Sequence, residues 1–305
     1  MHSHSHQHSH DHNHDKITDY NKVFLIGVIL NVIYIVVEVI YGLNVNSLAL
    51  LADAGHNLSD VLGLLVAWGA SFLVQKRPTS KHTYGYKKSS ILAALLNALI
   101  LLVAIGGIVW EAIGRFNSPR PINGITMIIV AGIGVIINTL TALLFIKGKE
   151  NDLNIKGAFL HMAADAAISM GVVLAALIIM WTEALWIDPL ISIIIAVIIF
   201  FGTWQLLKES TNLALDAVPG SIDQKKVKDF LKNLEGVSDI HDLHIWAMST
   251  TETALTVHLV KPGAEINDSF TNHVAQSLKQ KFGIQHITLQ IENGNSTEEC
   301  HTDCI

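Results

Sequence analysis

The sequence predicts an α-helical membrane protein with six transmembrane helices, followed by a C-terminal cytoplasmic α+β domain of ferredoxin-like (αββαβ) type. Three observations carry that prediction. Half of the 305 residues are hydrophobic and only 15% are charged, whereas a typical soluble domain has about 25% charged residues. The mean hydropathy is +0.43, and the apolar residues are gathered in six runs instead of scattered. From about Leu213 onward the pattern becomes that of an ordinary soluble domain.

Residues 1–15, "MHSHSHQHSHDHNHD", form a histidine-rich cytoplasmic tail without the apolar residues needed to fold. The tract reads either as an expression tag or as a flexible metal-collecting tail. The interleaving of His with Ser, Gln, Asp and Asn favours the tail, since neutral imidazole binds zinc, copper and nickel. No basic region followed by an apolar one precedes it, so no cleavable signal peptide is expected.

Residues 16–210 hold the six runs, at roughly 23–43, 48–75, 90–114, 123–146, 157–181 and 188–207. Each meets the roughly 20 residues a helix needs to cross hydrocarbon. The connections alternate in charge. "GLNVNS" has none, and "TEALWID" has no Lys or Arg. The 76–88 connection carries Lys76, Arg77, Lys81, Lys87 and Lys88, the next one Arg115 and Arg120, and the 147–156 connection Lys147, Lys149 and Lys156. The positive-inside rule then puts both termini and the 76–88 and 147–156 loops in the cytoplasm, in agreement with an even number of spans.

Residues 211–292 read as the soluble domain. Ile222, Val227, Phe230, Leu231 and Leu234 share one helical face that ends at Gly236. "IHDLHIWAM" and "TALTVHLV" alternate like strands, "INDSFTNHVAQSLKQKFG" is a second helix, and "HITLQIE" a third strand. Residues 293–305 form a tail whose Cys300 and Cys304 are the only cysteines of the chain. Beside His301 they read as a metal or redox pair in a reducing compartment, not as a disulfide framework. The net charge of -6 offers no basic field for nucleic acid.

The chemistry lies where the chain puts polar groups into apolar runs. In "LADAGHNLSD", His56 and Asp60 are four residues apart and share a helical face; "LHMAADA" repeats the pattern with His161 and Asp165. A carboxylate at the centre of a span costs about 2.5–3.5 kcal/mol on insertion scales, and such residues usually serve function. One such pair is explained equally well by a buried hydrogen bond. Two pairs offer two imidazoles and two carboxylates, the set that closes a tetrahedral zinc site. Asp53 sits near the same stripe, either as an acceptor that takes the other ring N–H of a ligating His or as a packing residue. Glu38, Asn31, Asn97 and Asn138 also lie in spans. Interhelical hydrogen bonding accounts for them, with Glu38 the best candidate for lining a cavity.

The stretches "SLALLADAGHNLSDV", "LHMAADA", "RPTSKHTYGYKK", "IVWEAIGRF" and "HDLHIW" closely resemble the cation diffusion facilitator family, and within it the bacterial zinc exporters. The resemblance covers nearly the whole chain. It implies a homodimer in the inner membrane that exchanges cytoplasmic Zn²⁺ for external protons, with His56, Asp60, His161 and Asp165 as transport ligands. Two imidazoles favour zinc, cadmium or cobalt over harder ions, and His56 at the first position tilts the chain toward zinc while leaving cadmium open. By the same resemblance the cytoplasmic domain binds zinc near the dimer interface through His241 and His258. His286, Glu292, Cys300 and Cys304 resemble further ligands of relatives with a cysteine tail, and surface histidines are the plainer reading; His244 and His273 are weaker candidates still.

A loop site that other members build from Asp and two His is not expected, because only His82 remains, with Thr79 and Tyr86 at the matching positions. Lys88 is expected either to pair with Asp216 or to serve only as a positive-inside charge. A membrane zinc enzyme is disfavoured, since no HExxH occurs and a four-ligand site leaves no open position. A uniporter, a channel or a sensor would use the same ligands, and proton-coupled uphill flux separates them from an antiporter.

Overall fold

The computed structural model describes residues 15–74, 76–145, 153–263 and 268–294, with the side chains of 15–28, 60, 63–72, 74, 144–145 and 153–158 excepted. The histidine tract and the cysteine tail lie outside these residues. Six long helices come first: α1 Asp15–Asn44, α2 Leu48–Val74, α3 Ser89–Asn117, α4 Gly124–Phe145, α5 Leu153–Thr182 and α6 Ile187–Ala214. They follow the six apolar runs and overshoot several of them. α6 is the clearest case. Its apolar run ends near residue 207, but nothing in "KESTNLA" stops a helix. The stop comes where Asp216 turns left-handed (φ 61°) ahead of Pro219.

Among the described residues, four helices are long and apolar enough to cross a membrane: Ser89–Asn117, Gly124–Leu143, Phe159–Thr182 and Ile187–Ala214. In α1 the described apolar part is Ile29–Asn44. Most side chains in the second half of α2 lie outside the described set. Outward faces carry large apolar groups, such as Val103, Trp110 and Trp181, as lipid-facing helices require.

The residues fall into two compact units, one from 1–61 and 105–198, the other from 62–104 and 199–305. In the first, α4 packs along α5 and meets α1. The start of α2 is held by α6: Asp188 accepts from Ser47 Oγ (2.7 Å), Leu48 N (2.9 Å) and Ala49 N (3.2 Å). Amides at a helix start have no partner within their own helix, and here a buried carboxylate from another helix supplies one. Arg115 donates to the Asn46 carbonyl and to Glu111, closing the α1–α2 turn from α3.

The second unit contains the soluble elements α7 Gln224–Lys232, β1 Asp239–Ala247, β2 Thr253–Val260, α8 Asp268–Phe282 and β3 His286–Glu292. Their order is the αββαβ read from the sequence. The sheet runs β1-β2-β3, with β1 antiparallel and β3 parallel to β2. Val227 and Leu231 of α7, Val274 and Leu278 of α8, and Ile245, Leu255, Val257 and Leu259 of the strands form one core. Asp223 caps α7 by accepting from Lys226 N (3.2 Å), a hydrogen bond that holds its carboxyl below the ordinary value. The loop before α3 is tied to this domain. Lys87 pairs with Glu252, Lys88 Nζ donates to Asp216 Oδ1 (2.7 Å), and Ser90 Oγ accepts from Thr250 N (3.1 Å).

Candidate metal centres

The two HxxxD pairs of the sequence sit on α2 and α5. His56 Nε2 lies 3.1 Å from Asp165 Oδ1, and His161 Nε2 lies 3.7 Å from Asp165 Oδ2. Two imidazoles therefore face the two oxygens of one carboxylate, with ring centroids 6.1 Å apart at 73°. Asp165 is buried (side chain 2% exposed), while His161 is 41% exposed. Asp60 follows His56 by one turn of α2, and its side chain lies outside the described residues. One turn along the same pair of helices, Ser169 Oγ donates to Asp53 Oδ2 (2.7 Å). Asp53 thus meets α5 through a serine, three residues from His56.

The second cluster is built on the sheet. Strand alternation sends Leu255, Val257 and Leu259 to the core and His258 to the opposite face. A bulge between His241 and His244 resets the alternation of β1, with Asp242 left-handed at φ 53°. His241 pairs with His258 across β1 and β2, and Val260 pairs with Glu292 across β2 and β3. The result is a group in which one ligand atom each from His241, His258 and Glu292 lie within 4.8 Å of one another. Glu292 Oε2 is 3.0 Å from His241 Nε2, and Glu292 Oε1 is 2.9 Å from His258 Nδ1. That last contact lacks hydrogen-bond geometry: His258 Nδ1 is buried with no hydrogen-bond partner. Burial pushes the Glu292 carboxyl up, but hydrogen bonds from His241 and Gln290 and the charges of His241 and His258 outweigh it and hold the group below its ordinary value.

The remaining candidates separate from this group. His286 starts β3 and Glu292 ends it, about 20 Å apart at 3.3 Å per residue. His286 instead stacks edge-on against Tyr84 (5.4 Å). His244 pairs with Asp242 (2.8 Å), whose other oxygen lies 3.5 Å from His258 Nε2. Cys300 and Cys304 lie outside the described residues.

Residues 24–213 match the model of the cation efflux transmembrane domain, and residues 219–294 that of the cation efflux protein cytoplasmic domain. This chain belongs to the cation diffusion facilitator family. As a member it is an integral membrane metal-cation exporter and not an enzyme. The zinc transporter ZitB of Escherichia coli is 36% identical over 274 residues, 89% of this chain and 86% of that protein. The cadmium, cobalt and zinc/H(+)-K(+) antiporter of Bacillus subtilis is 36% identical over 280 residues, 89% of this chain and 88% of its own. A solved structure, the metal-bound C-terminal domain of the CzcD transporter from Cupriavidus metallidurans, is 37% identical and covers 23% of this chain and 99% of its own, with a TM-score of 0.22.

Sequence reasoning missed two features of this facilitator. Asp188, next to Pro189, reads as a cap for its own helix α6, yet its side chain serves α2. Glu252, an ordinary turn acid in sequence, is the partner of Lys87. No periodic signal marks either one, because each acts on a distant segment.

Proposed function

We propose that this facilitator exports Zn²⁺ from the cytoplasm in exchange for protons, by alternating access around a tetrahedral site of His56, Asp60, His161 and Asp165 between α2 and α5. One observation carries the reading: two imidazoles from different helices converge on the single buried carboxylate of Asp165. Relatives named as zinc transporters and as an antiporter support it. Ligands must lose protons to bind metal, so metal and protons compete for one site. Histidine titrates near pH 6.5. A cavity open to an acidic exterior protonates His56 and His161 and releases zinc; a cavity open to the cytoplasm lets zinc displace those protons.

The same reading takes all six helices as spans of a domain at 16–210, with both termini cytoplasmic in a bacterial inner membrane and with cadmium as a second cargo. It takes 211–292 as a ferredoxin-like cytoplasmic domain through which the protein dimerises. There the residues suit a resident zinc. His258 Nδ1 is a buried donor atom without a hydrogen bond, and His241, His258 and Glu292 offer two nitrogens and an oxygen. These three would hold the ion, which would cross-link three strands, with Cys300 and Cys304 as outside ligands. Lys88 and Asp216 join the loop before α3 to the segment after α6.

The test uses protein in vesicles with a zinc dye inside and an imposed pH gradient. Gradient-driven zinc flux in the wild type that disappears in Asp165→Ala supports the reading. Flux that ignores the gradient, or that survives in the variant, overturns it.

A further inference from the structure

A second pair of acids lies beside the transport cluster and is not used by the mechanism above. Glu38 of α1 and Asp53 of α2 are both fully buried. Tyr34 Oη donates to Glu38 Oε1 (2.9 Å), and Asn57 Nδ2 reaches Glu38 Oε2 at a long 3.4 Å. Asp53 Oδ2 takes the Ser169 hydroxyl (2.7 Å), while Asp53 Oδ1 is buried with no donor among the described residues. Asp53 precedes Asn57, the residue that reaches Glu38, by one turn of α2, so both buried carboxyls belong to the same stretch between α1 and α2. Carboxylates only accept, so a proton held by the pair supplies the donor that Asp53 Oδ1 lacks. No Lys or Arg among the described residues contacts either one, and without a nearby cation two such charges in a dry interior do not both ionise.

We infer that Glu38 and Asp53 share one exchangeable proton, and that this pair is a second proton-carrying site which empties when zinc arrives at His56 and Asp165. The inference rests on the transport reading above. Three features connect the pair to the cargo. Asp53 precedes His56 by one turn of α2. Ser169 follows Asp165 by one turn of α5, so the Asp53–Ser169 contact and the His56–Asp165 contact are successive rungs between the same two helices. Among the described residues, the ionisable groups near the pair are Tyr34 from α1, His56 from α2 and Asp165 from α5; α4, which packs on α1, carries no ionisable residue. A dication one turn away therefore acts on the pair with no intervening cation to blunt it. Arrival of Zn²⁺ favours the ionised form, and one proton leaves as the ion binds. The packing suits a proton as occupant. The Tyr34 hydroxyl is pressed against Gly134 so closely that a methyl group there would collide with it, and a proton needs no further room.

The experiment counts protons released per zinc bound by full-length protein in detergent, with a pH indicator in weak buffer and zinc occupancy from equilibrium dialysis. Glu38→Gln is expected to bind zinc within about threefold of the wild type and to release about one proton fewer. Asp53→Asn provides the second variant. Infrared spectra of the wild type supply a reading that needs no variant: a carboxylic-acid carbonyl band present without zinc and lost on its addition. An unchanged proton count in either folded variant, or a wild type without such a band, overturns the inference. So does a missing proton that is matched by potassium release, which would make the pair an alkali-cation site. Failure of the transport reading looks different: Asp165→Ala would then bind as much zinc as the wild type.

Discussion

His56, His161 and Asp165 meet from two helices, whereas His241, His258 and Glu292 meet from three paired strands. In the sheet, register fixes the ligands. His258 stands opposite His241, and Val260 beside Glu292, so the three ligand atoms stay within 4.8 Å. In the helix pair no backbone hydrogen bond among the described residues joins the two partners, and the second imidazole stands off at 3.7 Å. A site on register-locked strands is suited to holding an ion, as proposed above for the sheet cluster. A site between two helices can open when one helix moves past the other, as the alternating access proposed above requires. The surroundings differ too. The helix site has a buried carboxylate and polar groups one turn away, while the sheet site is half-exposed on the face opposite its core.

The largest effect that would break this contrast is expected in the helix site. Asp165→Asn keeps the shape but removes the charge shared by both imidazoles. Zinc affinity in the full chain should fall by more than the 10–100-fold typical of altering an outer-shell partner, measured by equilibrium dialysis, and vesicle flux should be lost with it.

His258→Ala comes next. It removes a direct ligand, so zinc affinity at the sheet cluster should also fall by more than about 10–100-fold, while gradient-driven flux stays reduced but present. Flux abolished to the level of the Asp165 variants would erase the division between a transporting and a holding site.

A pH series sharpens the comparison further. Zinc held by the sheet cluster should weaken as pH falls below about 6.5, where imidazoles protonate. Glu292 behaves differently, because its carboxyl is held below the ordinary value in the folded state. Its stabilising contribution is complete above the ordinary carboxylate range and is lost as pH falls through the lowered value. Glu292→Gln should therefore move the acid unfolding midpoint, followed by circular dichroism without zinc, toward higher pH. A midpoint that does not move would show that the hydrogen bonds to His241 add nothing to the folded domain.

The smallest effect belongs to Lys88 and Asp216. Their side chains are 49% and 55% exposed, and exposed pairs contribute about 0.2–1 kcal/mol. A double-mutant cycle on thermal stability should find a coupling in that range, and it should shrink further in high salt. A larger coupling would mean that the pair acts together with Lys87 and Glu252 as one latch.

Much of this was open to reading along the chain. Hydropathy located the helices α1–α6, and the i, i+4 spacing put His56 with Asp60 and His161 with Asp165 on single faces. Alternation placed β2 and β3 at their observed limits. Each of these is a local property, set by a 3.6- or 2-residue period within one element. The sequence also singled out Glu38, but as a lone polar residue in a span, since nothing along the chain joins position 38 to position 53.

The meetings between elements needed the tertiary structure. Packing of α2 on α5 decided that Asp165 faces both imidazoles and that Ser169 finds Asp53. Strand pairing decided that Glu292 joins His241 and His258 while His286 goes to Tyr84. The buried carboxylate of Asp188 went to the start of another helix, because unpaired amides there needed an acceptor more than its own helix did. Spacing along a chain determines which side of an element a residue occupies, and only the packing of elements decides what that side meets.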